Sequence, residues 1–209
     1  MKRWLAIILL CSSSFVCAAT TVEPGCKNLR IVLDARLSPA LVAQAWGSGD
    51  PRPETAATLE LVGCQGQLLD RLALPAALAQ LDPLPIRGTA YPTYLVSVDL
   101  TVEAGSYNGP VTMPIQIVGN QLQAAVARFS DKRTKPIVLT LTGKSAWRRV
   151  AKKQSDDLLF VSSQPQGKGF VTIYQRYFLE NHEWHVKQRR RIGLWESDAE
   201  FPNRQRFPQ

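Results

Sequence analysis

The amino-acid sequence predicts a mainly β fold: a β-rich α+β chain with an antiparallel sheet, a sandwich or a barrel-like sheet, and one or two short helices near its N-terminal half. Three observations lead there. Tyr94, Val96, Val98, Leu100 and Val102 alternate with Leu95, Ser97, Asp99, Thr101 and Glu103, the period of two expected of a strand with one face buried and one wet. Short apolar runs recur at near-regular spacing, with turn-forming residues between them. The chain also carries no internal repeat and no low-complexity run that would point to a solenoid or a linker.

The first segment, residues 1–19, reads as a cleavable export signal. Met1-Lys2-Arg3 is basic, Trp4 to Cys11 is apolar, and the small-residue exit runs through Val16-Cys17-Ala18-Ala19. The apolar core is shorter than the roughly 20 residues that span a bilayer, so cleavage after Ala18 or Ala19 is expected. A lipoprotein anchor fits less well, because Leu10 and Val16 precede the two cysteines where a small residue belongs. No long apolar stretch follows, so no transmembrane segment is expected after cleavage. Residues 20–209 then form a single globular domain. The short, strongly basic start is of the bacterial kind, so the expected destination is the periplasm or the exterior. Loss of Cys11 and Cys17 leaves Cys26 and Cys64, 38 residues apart, to form a disulfide in an oxidising compartment.

Along the mature chain the elements follow in order. Leu29–Ala35 reads as a strand. Ser38-Pro39 opens a short helix carrying Leu41, Val42 and Ala45 and stopping at Gly47. Residues 47–54 form a loop. Thr58–Val62 and Gln67–Leu74 flank the turn Gly63-Cys64-Gln65-Gly66 as a hairpin. Pro75–Leu81 reads as one or two turns of helix ended by Asp82-Pro83. After the alternating strand, Ala104–Pro110 is a loop around Asn108-Gly109. Val111–Val118 and Gln121–Phe129 then pair about Gly119-Asn120. Ile137–Thr142, Leu158–Ser162, Phe170–Leu179 and Trp184–Ile192 are further strands, with Asn181-His182 turning between the last two.

Charge is the most informative feature. The full chain carries +8, and its distribution is uneven. Residues 20–127 hold 6 basic and 9 acidic side chains, whereas residues 128–191 hold 15 basic and 5 acidic ones. On the last strand a period of two sets His185, Lys187, Arg189 and Arg191 on one face, about 6.6–6.8 Å apart. Trp184, Val186 and Ile192 lie on the other face with Gln188 and Arg190. Lys144, Arg148, Arg149, Lys152 and Lys153 form a second basic cluster. Such a ribbon suits an anionic partner: an anionic envelope surface, an acidic polysaccharide or an acidic protein. Nucleic acid is disfavoured, since export removes it and no nucleic-acid-binding motif is present. The competing expectation is that the acidic first half folds against these cations, or that they form a solvated face that keeps the protein soluble.

No catalytic, metal or cofactor motif meets its requirements. Gly143-Lys144-Ser145 resembles the end of a phosphate loop, but Val138 stands where the first glycine belongs. His182 and His185 are three apart on a turn and strand, not four apart on a helix as a zinc protease needs. Ser106 lies between glycines at the wrong spacing for a nucleophile elbow. Asp99 and Glu103 would stand about 13 Å apart along a strand, beyond the 5–9.5 Å of paired glycosidase carboxylates. Glu196, Asp198 and Glu200 alternate as a calcium loop might, without the EF-hand glycine. Trp147, Trp184, Trp195, Phe201 and Phe207 are expected in the core, with the tail from Phe201-Pro202 to Phe207-Pro208 packed back onto the sheet. The sequence thus reads as an exported, non-catalytic binding protein. The alternatives are a hydrolase assembled from distant residues and a structural envelope component.

Overall fold

The computed structural model describes residues 26–102 and 105–209, so the expected export signal at 1–19 and Glu103 lie outside the described residues. β1 (Asn28–Val32) leads to α1 (Pro39–Ala45), and β2 (Thr58–Val62) and β3 (Leu68–Ala73) follow. Next come β4 (Ala79–Leu81), β5 (Thr93–Asp99), β6 (Pro110–Val118), β7 (Gln121–Ala124), β8 (Val126–Arg128), β9 (Thr134–Pro136) and β10 (Leu139–Thr140). Four longer strands complete the chain: β11 (Ser145–Ala151), β12 (Asp156–Gln166), β13 (Gly169–Glu180) and β14 (Glu183–Ile192). They form three sheets: β1-β2-β3; β10-β6-β5-β4 with β7 added to β6; and β11-β12-β13-β14-β8-β9. The arrangement is sandwich-like, and the only parallel pair is β14 with β8 among the described residues.

Local sequence explains several elements directly. Ser38 caps α1 by accepting from the Leu41 N–H at 3.2 Å, with Pro39 in the first helical position. Gly47 ends it with a positive φ of 72°. Asn181 and His182 take φ of 51° and 66°, as both central residues of the tightest hairpin turns do. The disulfide joins Cys26 to Cys64, tying the start of β1 to the β2–β3 turn. No helix of the described residues is long and apolar enough to cross a membrane.

Three expectations need correction. Pro75–Leu81 is not helical. Ala79 and Leu81 are buried while Gln80 is exposed, and β4 pairs antiparallel with Val96–Val98 of β5. Gln80 is the run's single polar residue, too little to give a surface helix a polar face, whereas a sheet-edge strand turns Gln80 outward and buries Ala79 and Leu81. Second, β5 has no wet face and ends at Asp99. Tyr94, Val96 and Val98 enter one core cluster and Leu95 enters another. Asp99 accepts from both the N–H and the hydroxyl of Thr101, a local turn that stops the ladder. Leu100 and Val102 beyond it are consequently 36% and 75% exposed. Third, Gln121–Phe129 and Ile137–Thr142 each break. Ala125 donates to the Pro114 carbonyl in the second sheet, and its own carbonyl accepts from Ile137. Both residues are buried, so the chain turns a corner from the second sheet into the third and back at a point where a small side chain allows close approach.

The second sheet is therefore the middle layer. One face shares a core with the first sheet through Leu29, Leu59, Leu61, Tyr94 and Ile115. The other shares a core with the inner face of the third through Leu95, Ile137, Leu158, Tyr177 and Trp184. On the outer face of the third sheet Phe207 is fully buried against Ala146, Leu159, Val161 and Tyr174, so the tail does pack back. The Tyr174 and Phe207 rings meet edge to face at 5.6 Å.

Because the Cys26–Cys64 bridge closes a loop of 38 residues, the Cys26→Ala/Cys64→Ala variant is expected to lose about 3–4 kcal/mol of unfolding free energy. Urea unfolding of the oxidised protein and of the variant measures the difference.

Candidate functional site

β14 carries the predicted ribbon, and its register fixes what surrounds it. His185, Lys187, Arg189 and Arg191 stand opposite Phe178, Arg176, Tyr174 and Thr172 of β13. Two steps further across, Leu159 and Val161 of β12 lie opposite Arg148 and Ala146 of β11. All of these side chains share the outer face of the third sheet. Trp184 and Val186 point inward and are buried, whereas Ile192, at the strand end, is 98% exposed.

The C-terminal segment crosses the middle of that face, and the cations surround it. Lys187 Nζ donates to a backbone oxygen of Gln209, the last residue, at 2.8 Å, Arg189 to the Gln205 carbonyl at 3.5 Å and Arg176 to the Pro208 carbonyl at 3.4 Å. The Arg148 guanidinium lies 4.6 Å from the Phe201 ring centre. Phe178 serves three neighbours: Arg176 at 5.0 Å, Lys187 at 5.5 Å and the His185 ring at 5.8 Å. Sequence reasoning passed over Arg176 and Phe178, although both fall on the outward positions of β13. It also passed over Arg204 and Arg206, which the tail brings in exposed.

Carboxylates of the chain neutralise part of the second cluster. Arg149 donates to Asp156 at 2.6 and 3.0 Å and to the Leu84 carbonyl at 3.0 Å. Arg87 meets the same carboxylate at 2.8 Å. Lys152 lies 2.7 Å and Arg176 2.8 Å from Asp157. Lys144 pairs with Glu196. Arg149 and Lys152 are therefore structural cations. By contrast, Lys187, Arg189, Arg191 and Lys153 have no Asp or Glu side-chain partner among the described residues. His185 has Glu180 3.9 Å away.

The remaining candidates separate in space. His182 donates its Nδ1–H to the Gly88 carbonyl at 2.9 Å, while His185 lies against Phe178, so the two histidines do not converge. Asp99 is buried in an ion pair with Arg52 at 3.0 Å. Among the described residues no three His, Cys, Asp or Glu side chains gather as a metal site would need.

Three buried carboxylates share one electrostatic pattern. Burial opposes ionisation of Glu60, Asp99 and Asp156, yet hydrogen bonds and nearby guanidinium groups outweigh it. The donors are Arg30 and Arg71 for Glu60, Gly47, Thr101 and Arg52 for Asp99, and Arg87 and Arg149 for Asp156. All three titrate below the ordinary carboxylate range. Groups depressed in the folded state give stability that is fully present above their unfolded pKa, about 3.9–4.3, and lost as pH falls through the folded value. Thermal unfolding followed against pH is thus expected to show little carboxylate-linked loss between about pH 7 and 5 and a steep fall below about 4. An onset near pH 6 would contradict this assignment.

Comparison with known protein families, with characterised proteins and with solved structures finds no match to this chain.

Proposed function

We propose that the protein is an exported, non-catalytic binding module that holds an anionic partner against the outer face of its third sheet. The partner is an anionic envelope surface, an acidic polysaccharide or an acidic protein. Export is supported by the basic-apolar-small start of the sequence and by the Cys26–Cys64 bridge, which belongs to an oxidising compartment.

One observation carries the reading. Where the chain needs cations for its own architecture, as at Arg149 and Lys152, it supplies buried carboxylates for them. At Lys187, Arg189 and Arg191 it supplies no Asp or Glu side chain, and Arg204 and Arg206 add two exposed cations from the tail. The Lys187 ammonium rests on a backbone oxygen of Gln209, the last residue, and the Arg189 guanidinium on the neutral Gln205 carbonyl, which orients a cation without cancelling its charge. Arg148, stacked on Phe201, and His185, beside Phe178, border the same face. Lys153 stands exposed in the turn between β11 and β12.

The mature chain from Thr20 is expected to bind a soluble acidic polysaccharide, or vesicles containing anionic lipid, with affinity falling about tenfold or more between ~50 and ~500 mM NaCl. The Lys187→Glu/Arg189→Glu/Arg191→Glu variant should lose that binding. Binding that ignores both salt and the reversal would contradict the proposal.

A further inference from the structure

We propose that the open end of the sandwich is a second, independent binding site, and that it takes a short neutral oligosaccharide. The site lies on the inner face of the third sheet, opposite to the basic face. Along that face the rows change character. Leu158, Tyr177 and Val186 form a buried apolar row across β12, β13 and β14. The next row outward is Phe160, Gln175 and Gln188, and the one beyond it is Ser162, Ile173 and Arg190. Here the middle layer separates from the third sheet and leaves a cavity of about 390 Å³, with Tyr107 and Thr140 on the facing wall. That volume lies within the range of about 300–1,000 Å³ found for small-molecule sites.

The lining offers hydrogen bonds that the protein does not use. Gln175 and Gln188 are direct cross-strand neighbours, at a Cβ separation of about 5 Å, yet their amides have no hydrogen-bond partner among the described residues. The same holds for the Gln164 amide and the half-buried Ser162 hydroxyl, both at the cavity wall. Each amide carries two donors and an acceptor, and each hydroxyl both donates and accepts. A sugar hydroxyl, itself donor and acceptor, can satisfy this mixed set where water does so in the empty site.

The same lining selects against other ligand classes. Its only ionic side chain is Lys144, which is already paired with Glu196 and placed 5.7 Å from the Phe170 ring centre. An anion would find no unpaired cation among the lining residues; Arg190 shares the row of Ser162 and Ile173 but is not part of the wall. A wholly apolar ligand would cover the half-buried Gln175 amide without offering it a partner, at a cost of about 1–3 kcal/mol. A sugar presents C–H faces as well as hydroxyls, and the apolar part of the lining suits them: Phe160 and Ile173 on the sheet, and Tyr107, 51% exposed, at the mouth.

The test is calorimetric titration of the full chain with cellotriose, maltotriose and chitotriose at low and high salt. At least one trisaccharide is expected to bind saturably with a Kd between about 10 μM and 10 mM, unchanged by salt. Gln175→Ala/Gln188→Ala should weaken it about tenfold or more, and Gln188→Ala alone, at an exposed position, should weaken it in the same direction with unchanged melting. The Lys187→Glu/Arg189→Glu/Arg191→Glu variant should bind as the parent does, which separates this site from the basic face. No binding of any of the three up to ~10 mM, or binding that the glutamine variants leave intact, or binding abolished by the charge reversal, would overturn the inference.

Discussion

Two adjacent carboxylates at the head of β12 are the constraint on which the layered arrangement depends. Asp156 and Asp157 are both buried, and a buried carboxylate is tolerated only where charge and hydrogen bonds meet it from several sides. Asp156 receives Arg87 from the segment that joins β4 to β5, and Arg149 from β11. Arg149 also donates to the carbonyls of Leu84 and Pro85, so one guanidinium ties the third sheet to the middle layer. Asp157 holds Lys152 and Arg176. Four cations of the basic half and its approach are fixed by this one pair of acids.

That arrangement divides the positive charge into two populations. Arg87, Arg149, Lys152 and Arg176 are internal to the fold, and removing one leaves a buried carboxylate short of a partner. Those on the outward positions of β14, and those that the tail adds, face solvent around an apolar centre formed by Phe207, Tyr174 and Phe201. The tail explains why these side chains stay extended over the face: its backbone oxygens at Gln205 and Gln209 and the Phe178 ring position them. The inner face of the same sheet differs, because its outer rows mix amide, hydroxyl and apolar side chains with a single cation, Arg190. One sheet thus presents two surfaces of different chemistry.

Much of this was legible locally. The Ser38 cap, the Asn181-His182 turn and the alternation of β14 are encoded within a few residues, and the sequence reading located each. The tail aromatics announced their packing onto the sheet. What escaped was long-range. Nothing near Asp156 indicates that Arg87, 69 residues away, will meet it. Nothing in Ala125 or Ile137 announces that the chain changes sheets there. The strand β11 was read only as a cluster of cations, because its alternation is hidden by Arg148 and Arg149 on opposite faces. Pro75–Leu81 misled because a short apolar run fits either a helix or a strand until its partner is known. The unpaired glutamines of the inner face carry no local signal, since they lie on three different strands.

The most direct test of the division between structural and functional cations compares two variants of the same protein. Melting temperature and retention on an immobilised acidic polysaccharide would be measured for Arg149→Ala and for Lys187→Ala/Arg189→Ala/Arg191→Ala. Loss of the partner of a buried carboxylate should lower the melting temperature of the first by about 5–10 °C while leaving retention intact below the transition. The triple variant should melt within about 2 °C of the parent and elute at markedly lower salt. A triple variant that keeps full retention, or that melts as early as Arg149→Ala, would contradict the account.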